Sequence, residues 1–230
     1  MVLQQDVFLN TQQQRKMKLF NWKLWSLVAV AVFVPVIAFG KKTGSPGSQG
    51  DYFYTDKFLN AVRVAVGNLN PVQEDSVKKI VNYYYAAGYN DLAKLCYILA
   101  TAWHECSLVS KKEIRCQSFQ PCYWAQENYW YTGYYGRGFV QLTWESNYQQ
   151  MSDIIGIDLV TYPDAVLEPE IAAKVIVEGM EQGTFTGLSL SQFINANDVD
   201  FYNARKVVNG LDNAGTIAET ANDILFALPV

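Results

Sequence analysis

The chain has 230 residues, half of them hydrophobic, with 18 basic and 22 acidic residues and a formal net charge of −4. The charge is uneven: residues 1–50 hold six basic residues and one acidic, whereas residues 51–230 hold 12 basic against 21 acidic, a net −9. That length allows one domain with extras, and the acidic body lacks the basic stripe of a nucleic-acid groove, so no nucleic-acid partner is expected.

Residues 1–14 are polar and Gln-rich, and Arg15, Lys16, Lys18 and Lys23 follow. Leu24 to Phe39 is then an apolar run of 16 residues, interrupted only by Ser26 and Pro35. As a helix it would be about 24 Å long, a little short of the usual span. Trp22 and Trp25 sit where an aromatic belt would lie, and the four basic residues before the run outnumber Lys41 and Lys42 after it. The pattern predicts a cytoplasmic polar, basic tail over 1–23 and a single transmembrane anchor in the lipid bilayer over 24–39, with the body on the outer or periplasmic side. Ala38-Phe39-Gly40 also offers small residues for signal-peptide cleavage, but the basic region before the run is long for that. An uncleaved anchor that keeps Met1 is the favoured reading. Residues 40–51 contain Gly-Lys-Lys-Thr-Gly-Ser-Pro-Gly-Ser-Gln-Gly and read as a flexible linker. The folded domain is expected over 52–230.

From Thr55 the pattern turns helical. Phe58, Leu59, Val62 and Val66 share one apolar face, with Thr55 as N-cap. Asn70-Pro71 opens a second helix, running to about Ala87 and stopping at Gly88. Asn90 and Asp91 cap a third, which carries Leu92, Leu95, Cys96, Leu99 and Trp103, with Glu105 in its last turn. Lys111 to Tyr134 has no helical period and many aromatics, so a long loop or small hairpin is expected, and such loops are usually functional. Thr143 is expected to cap a helix through Trp144, Tyr148 and Ile155 to Gly156. Pro169 opens another, ending at Gly183. Shorter helices are expected over Ser189–Ile194 and Asp198–Val208, and Asn213–Leu228 closes the chain. The fold class is mainly α.

Four cysteines, Cys96, Cys106, Cys116 and Cys122, crowd the centre of the chain. Cys96 and Cys106 share a predicted helix and lie roughly 15 Å apart there, too far to bridge. Three arrangements remain: Cys106–Cys116 with Cys96–Cys122, Cys106–Cys122 with Cys96–Cys116, or Cys116–Cys122 alone with two free thiols. Zinc held by three cysteines and His104 is the rival use, but the spacing is not a paired Cys-x-x-Cys. His104 is the only histidine. Leu108 stands where His-Glu-x-x-His needs its second histidine, and no Gly-x-Ser-x-Gly elbow accompanies a triad. No metal and no cofactor is expected.

The chemistry concentrates between Leu99 and Tyr148. Trp103-His104-Glu105 ends an apolar helix, where aromatic surface can raise a carboxyl pKa toward the range of a general acid. Tyr134-Tyr135-Gly136-Arg137-Gly138-Phe139-Val140-Gln141-Leu142-Thr143-Trp144 is an aromatic, Gly-flanked turn suited to a flat polar ligand. Glu113 and Glu127 lie between the two. Paired carboxylates either side of one bond are the machinery of glycoside hydrolysis.

These residues carry a resemblance. Ala100-Thr101-Ala102-Trp103-His104-Glu105, the Gly-Arg-Gly-x-x-Gln-Leu-Thr-Trp run and a late Asn209-Gly210 recur in that order in family 19 glycoside hydrolases. The chain most resembles their bacterial and phage endolysin branch, over roughly Thr55 to Leu228. The resemblance implies a lysozyme-like domain of two helical lobes around a cleft, preceded here by the anchor. It implies hydrolysis of peptidoglycan or a chitin-like glycan, with Glu105 as general acid. The second carboxylate departs from the phage pattern: Pro121-Cys122-Tyr123-Trp124 puts Trp where a Glu often follows. Glu127, 22 residues after Glu105, fits the separation in the chitinase branch and is the expected base, with Glu113 next. By the same analogy Tyr135, Gln141, Thr143, Asn147 and Asn209 contact substrate. His104 and Arg137 are supporting, Arg137 by pairing a carboxylate. Trp124 and Trp130 offer stacking faces. A lytic transglycosylase with a single acid, and a non-catalytic wall-binding membrane protein, are the alternatives.

Overall fold

The structure, a computed structural model, describes residues 49–229, with side chains from residue 55. The expected tail, the anchor over 24–39 and most of the linker lie outside the described residues. Among the described residues no helix is long and apolar enough to cross a membrane.

Five helices build the frame. Helix α1 spans Gln49–Val66. It begins upstream of the expected cap because no Gly or Pro interrupts 51–66, so residues 49–51 are helix and not linker. Thr55 therefore lies inside α1 and caps nothing; its hydroxyl donates to Asn82 Oδ1 (2.9 Å) on α2. Helix α2 spans Pro71–Ala86, and Asn70 caps it by accepting from the amides of Val72 and Gln73. Asp91 caps α3, Leu92–Cys106, through Ala93 and Lys94. Both caps answer the orphan amides of a helix start with a short polar side chain, as their sequences foretell.

Buried residues run along nearly the whole of α3, from Leu95 to Ala102. A helix apolar on all sides is a central one. Accordingly α3 packs on the closing helix, Ala214–Ala227, and on Pro169–Gln182, while α1 packs on α2 and on the closing helix.

A second layer of order is polar. Glu178, buried on Pro169–Gln182, accepts from Tyr83 Oη (2.8 Å), Tyr89 Oη (2.9 Å) and Gln182 Nε2 (2.6 Å). Beside it, Glu181 pairs with Lys94 (2.8 Å). Burial, then the bond to Glu178, pushes the Tyr89 hydroxyl up to about 12. An unfolded tyrosine ionises near its ordinary value of 10.0, so only the unfolded chain loses protons as pH climbs past 10. Stability from this cluster is complete below about pH 10 and is lost progressively toward pH 12. Denaturant midpoints taken from pH 8 to 11.5 are expected to fall above pH 10 and to fall less in Tyr89→Phe; equal slopes in both would reject the cluster as the cause.

The region after α3 forms a two-stranded antiparallel ribbon. Strand β1 (Lys111–Lys112) pairs with β2 (Arg137–Gly138), in the register Lys111 to Gly138 and Lys112 to Arg137. Residues 113–136 make the excursion between them, with a one-turn helix α4 at Tyr123–Gln126 and a 3-10 turn at Trp130–Thr132. Helix α5 spans Glu145–Ile155 and stops at Gly156; α6 spans Pro169–Gln182 and stops at Gly183. Two expected helices shrink to single 3-10 turns, Leu190–Gln192 and Asn203–Val207. A bridge between Ile194 and Val199 commits the intervening backbone elsewhere. Helix α7, Ala214–Ala227, closes the fold.

Of the three cysteine arrangements, the structure forms Cys116–Cys122 alone, with Cα atoms 6.0 Å apart. Cys96 and Cys106 are free and buried. Burial raises both thiols, Cys106 up to about 11. A three-cysteine zinc site is not formed, because two of the four sulfurs are bonded to each other. Alkylation of the unfolded, unreduced chain is expected to label two cysteines and, after reduction, four. Four labelled without reduction would exclude the bridge.

Candidate active site

Glu105 stands in the last turn of α3. The helix ends directly behind it: Ser107 and Leu108 both turn left-handed (φ 56° and 57°). Ser107 N–H donates to Trp103 O (2.7 Å) and Leu108 N–H to Ala102 O (3.1 Å). Left-handed residues other than glycine are strained. The compensation here is burial, since Leu108 is completely enclosed.

The Glu105 carboxylate is held by a buried cation, where the sequence predicts aromatic surface. Arg205 Nη1 donates to its Oε1. Arg205 comes from the 3-10 turn Asn203–Val207 and is 3% exposed against 21% for Glu105. Its Nε–H donates to Asp212 O (3.1 Å) and its Nη2 to Asp212 Oδ2 (3.4 Å). Sequence reasoning missed Arg205. The signal was present: in Ala204-Arg205-Lys206-Val207, Arg205 falls among inward positions, and a cation buried there requires an anion.

The second carboxylate brought into the Gly-Arg-Gly turn is Glu113. It follows β1 directly, and its amide donates to Gly136 O (2.8 Å). Its Oε1 accepts from Gln126 Nε2 (2.8 Å) and Tyr129 Oη (2.7 Å), and its Oε2 from Gly136 N (2.9 Å). Burial and the bond to Glu113 raise the Tyr129 hydroxyl, which keeps it a donor. All three donors are neutral, and Oε2 keeps a lone pair unused. Gly136 is glycine for a packing reason: a Cβ there would meet Gln141 Oε1 at 2.9 Å and Glu113 Oε2 at 3.1 Å.

Glu127 is placed otherwise. It follows α4 and pairs with Arg115. That guanidinium lies over the rings of Tyr123 (4.9 Å), Trp130 (5.1 Å) and Tyr131 (5.2 Å). Glu127 thus braces the excursion by neutralising a cation held among aromatics. The disulfide closes the same loop.

Gln141, Thr143 and Asn147 come together in the turn after β2. Gln141 is left-handed (φ 53°) and its amide donates to Lys111 O (3.0 Å) and Gly138 O (3.1 Å). Thr143 Oγ1 donates to Gln141 O (2.9 Å), and Asn147 Nδ2 to Thr143 O (2.9 Å). The expected Thr143 cap is not made. Trp144 takes the N-cap position of α5 with φ 75° and no side-chain cap bond, because the tight return Leu142 N–H to Arg137 O (2.9 Å) turns the Thr143 hydroxyl backwards.

Tyr135 stacks on Trp130 (4.4 Å) and under Arg137 (4.1 Å). Tyr135 and Arg137 line an open pocket of about 640 Å³ with Tyr162, Asp164 and Glu168. Arg137 donates to Asp164 Oδ1 (2.6 Å), Gly133 O (2.9 Å), Tyr135 O (3.0 Å) and Tyr148 Oη (3.0 Å). The Lys112 bond, then Arg137, holds the Asp164 carboxyl below the usual range. Arg137 is thereby the pin of the turn. His104 is half-buried beside Glu105. Asn209 bonds its own neighbour, Oδ1 accepting from Gly210 N (2.8 Å), on the exposed end of the Arg205 segment. Trp130 is committed to its stack, whereas Trp124 is 73% exposed.

The protein is mainly helical, with one carboxylate, Glu105, held at a helix end by Arg205 and another, Glu113, held at a Gly-Arg-Gly turn. The family model described as chitinase class I, family 19 of the glycoside hydrolases, matches residues 33–177, more than half of the chain. The chain belongs to that family. It is 31% identical over 140 residues to Chitinase 4 of Oryza sativa subsp. japonica, covering 59% of this chain and 45% of that protein. Endochitinase B of Zea mays is 27% identical over 137 residues, 58% of this chain and 44% of that protein. The chain therefore spans less than half the length of these curated relatives. Among solved structures, chitinase C from Streptomyces griseus HUT6037 superposes with a TM-score of 0.53 at 20% identity, over 75% of this chain and 79% of that one; this is a likeness of fold. Arg205, Asp212 and Asn209 lie beyond the matched stretch.

Proposed function

We propose that the chain is an inverting glycoside hydrolase acting on a β-1,4-linked N-acetylglucosamine glycan. Glu105 is the general acid and Glu113 the general base. The carrying observation is the Glu113 carboxylate, bound by three neutral donors on the Gly136 turn, while Glu127 is spent on Arg115. Its three donors carry no charge, and its unused lone pair can take a proton from water. Glu105, steered by Arg205, delivers its proton to the leaving oxygen. Inversion requires the two carboxyl groups about 6.5–9.5 Å apart on opposite sides of the sugar. Gln141, Thr143 and Asn147 supply the polar wall beside Glu113, and Asn209 the edge beside Arg205.

The relatives carry the name chitinase, and peptidoglycan shares the N-acetylglucosamine linkage. The apolar run over 24–39, read as an anchor with the body outside the membrane, favours peptidoglycan as the natural substrate and fits a lysis, virion-entry or wall-remodelling role. The test is product analysis of the purified chain on chitin hexamer and on murein. An α-anomeric reducing end formed first is the expected result. Anhydro ends would mean a transglycosylase, and binding without product a non-catalytic wall protein. Release from murein only, or from chitin only, decides the substrate.

A further inference from the structure

Behind Glu105, α3 carries two hydroxyls with no explained role. Tyr97, Thr101 and Glu105 are spaced four residues apart and so share one face of the helix. Both ends of that stripe have known neighbours. The Tyr97 ring stacks on Phe201 at 5.6 Å and 13°, and Glu105 meets Arg205 four residues further along the same segment. Thr101 is therefore confined between them. Tyr97 and Thr101 are both completely buried, and among the described residues neither hydroxyl makes a hydrogen bond of ordinary geometry. An orphaned buried hydroxyl destabilises the fold, and two on one face are a pattern that wants partners.

Arg205 is the matching half. A guanidinium has five N–H donors; its bonds to Glu105 and Asp212 use three. Two donors remain on a side chain that is 3% exposed. Electrostatically the Tyr97 hydroxyl feels Arg205, Asp200 and Glu105, and it lies against Thr101. Asp200 is already held by Asn203, through N–H (2.9 Å) and Nδ2 (2.7 Å). The unspent acceptors on α3 thus face the unspent donors of Arg205.

We infer that Tyr97, with Thr101, is a positioning residue: through one bridging water, the two hydroxyls take the free N–H edge of Arg205 and so fix the guanidinium that aims Glu105. This rests on the reading of Glu105 as general acid. Tyr97 touches no substrate; it acts through Arg205. A bridging water is adequate because it transmits orientation nearly as well as a direct bond.

The test is Tyr97→Phe, which keeps the ring stack on Phe201 and removes one oxygen, with Thr101→Val as the second variant. Turnover on the glycan is expected to fall between about tenfold and a hundredfold with KM unchanged, as for a small loss of alignment. A second readout needs no activity: the Nη–H resonances of Arg205 in ¹⁵N-labelled protein, separate when the guanidinium is fixed, are expected to merge in Tyr97→Phe. Unchanged Arg205 resonances overturn the inference, as does an active variant with the parent's kcat. If the parent turns over no glycan, the catalytic reading fails by itself, and the resonances alone decide the coupling.

Discussion

Glu105→Gln is expected to lower turnover by a factor of about 10²–10⁴ while leaving glycan affinity within about threefold, because it deletes the proton and keeps the shape. Glu113→Gln is expected to cost nearly as much. Its three donors would then face an amide, and Oε2 would no longer accept a proton from water. Glu127→Gln separates the two assignments. Glu127 pairs with Arg115 in the aromatic cluster, so its loss is expected to loosen the 113–136 excursion and cost activity less than about tenfold, recoverable at lower temperature. Single-turnover rates and oligosaccharide binding for the three variants make the comparison. A Glu127→Gln variant as dead as Glu105→Gln, beside an active Glu113→Gln, would return the base to Glu127.

The second large effect is on stability. Arg137→Met removes a side chain that is 3% exposed and leaves Gly133 O and Tyr148 Oη without the N–H they accept, while Tyr135 O keeps its bond from Tyr148 Oη. A loss of about 2–4 kcal/mol is expected, from acceptors left unpaired and the lost packing of a buried side chain. Asp164→Asn touches the same network and is expected to cost less than about 1 kcal/mol. Asp164 is 61% exposed, so its ion pairs are screened by solvent. Urea midpoints of the two variants measure the contrast. Equal losses would mean that the ion pair, and not the bonds to Gly133 O and Tyr148 Oη, holds the turn.

Much of the fold was legible in the sequence. Asn70-Pro71, Asp91, Gly156, Pro169 and Gly183 mark helix ends through local chemistry that needs no distant partner: a side chain meets an orphan amide, a ring fixes φ, or a glycine turns left-handed. The boundaries that failed were those decided at a distance. Thr55 reads as a cap, yet its partner is Asn82, and the helix simply continues through it. Trp144 opens α5 without a cap because the return from β2 dictates the backbone there.

The site divides the same way. His104-Glu105 and the Gly136–Thr143 turn were recognisable because residue types at short spacing carry them. Spacing by family analogy favours Glu127 over Glu113 as the base, but spacing carries no information on the partner each carboxylate takes. Only the pairing of β1 with β2 brings Glu113 to the Gly136 amide, and only the excursion's folding gives Glu127 to Arg115. Arg205 lies 100 residues from Glu105. Local patterns reach a turn or two along the chain; the partner of a charge is set by which segments the core packs together. The sequence by itself thus determined most helix ends and the Gly-Arg-Gly turn, and the tertiary structure decided which partner each charge takes.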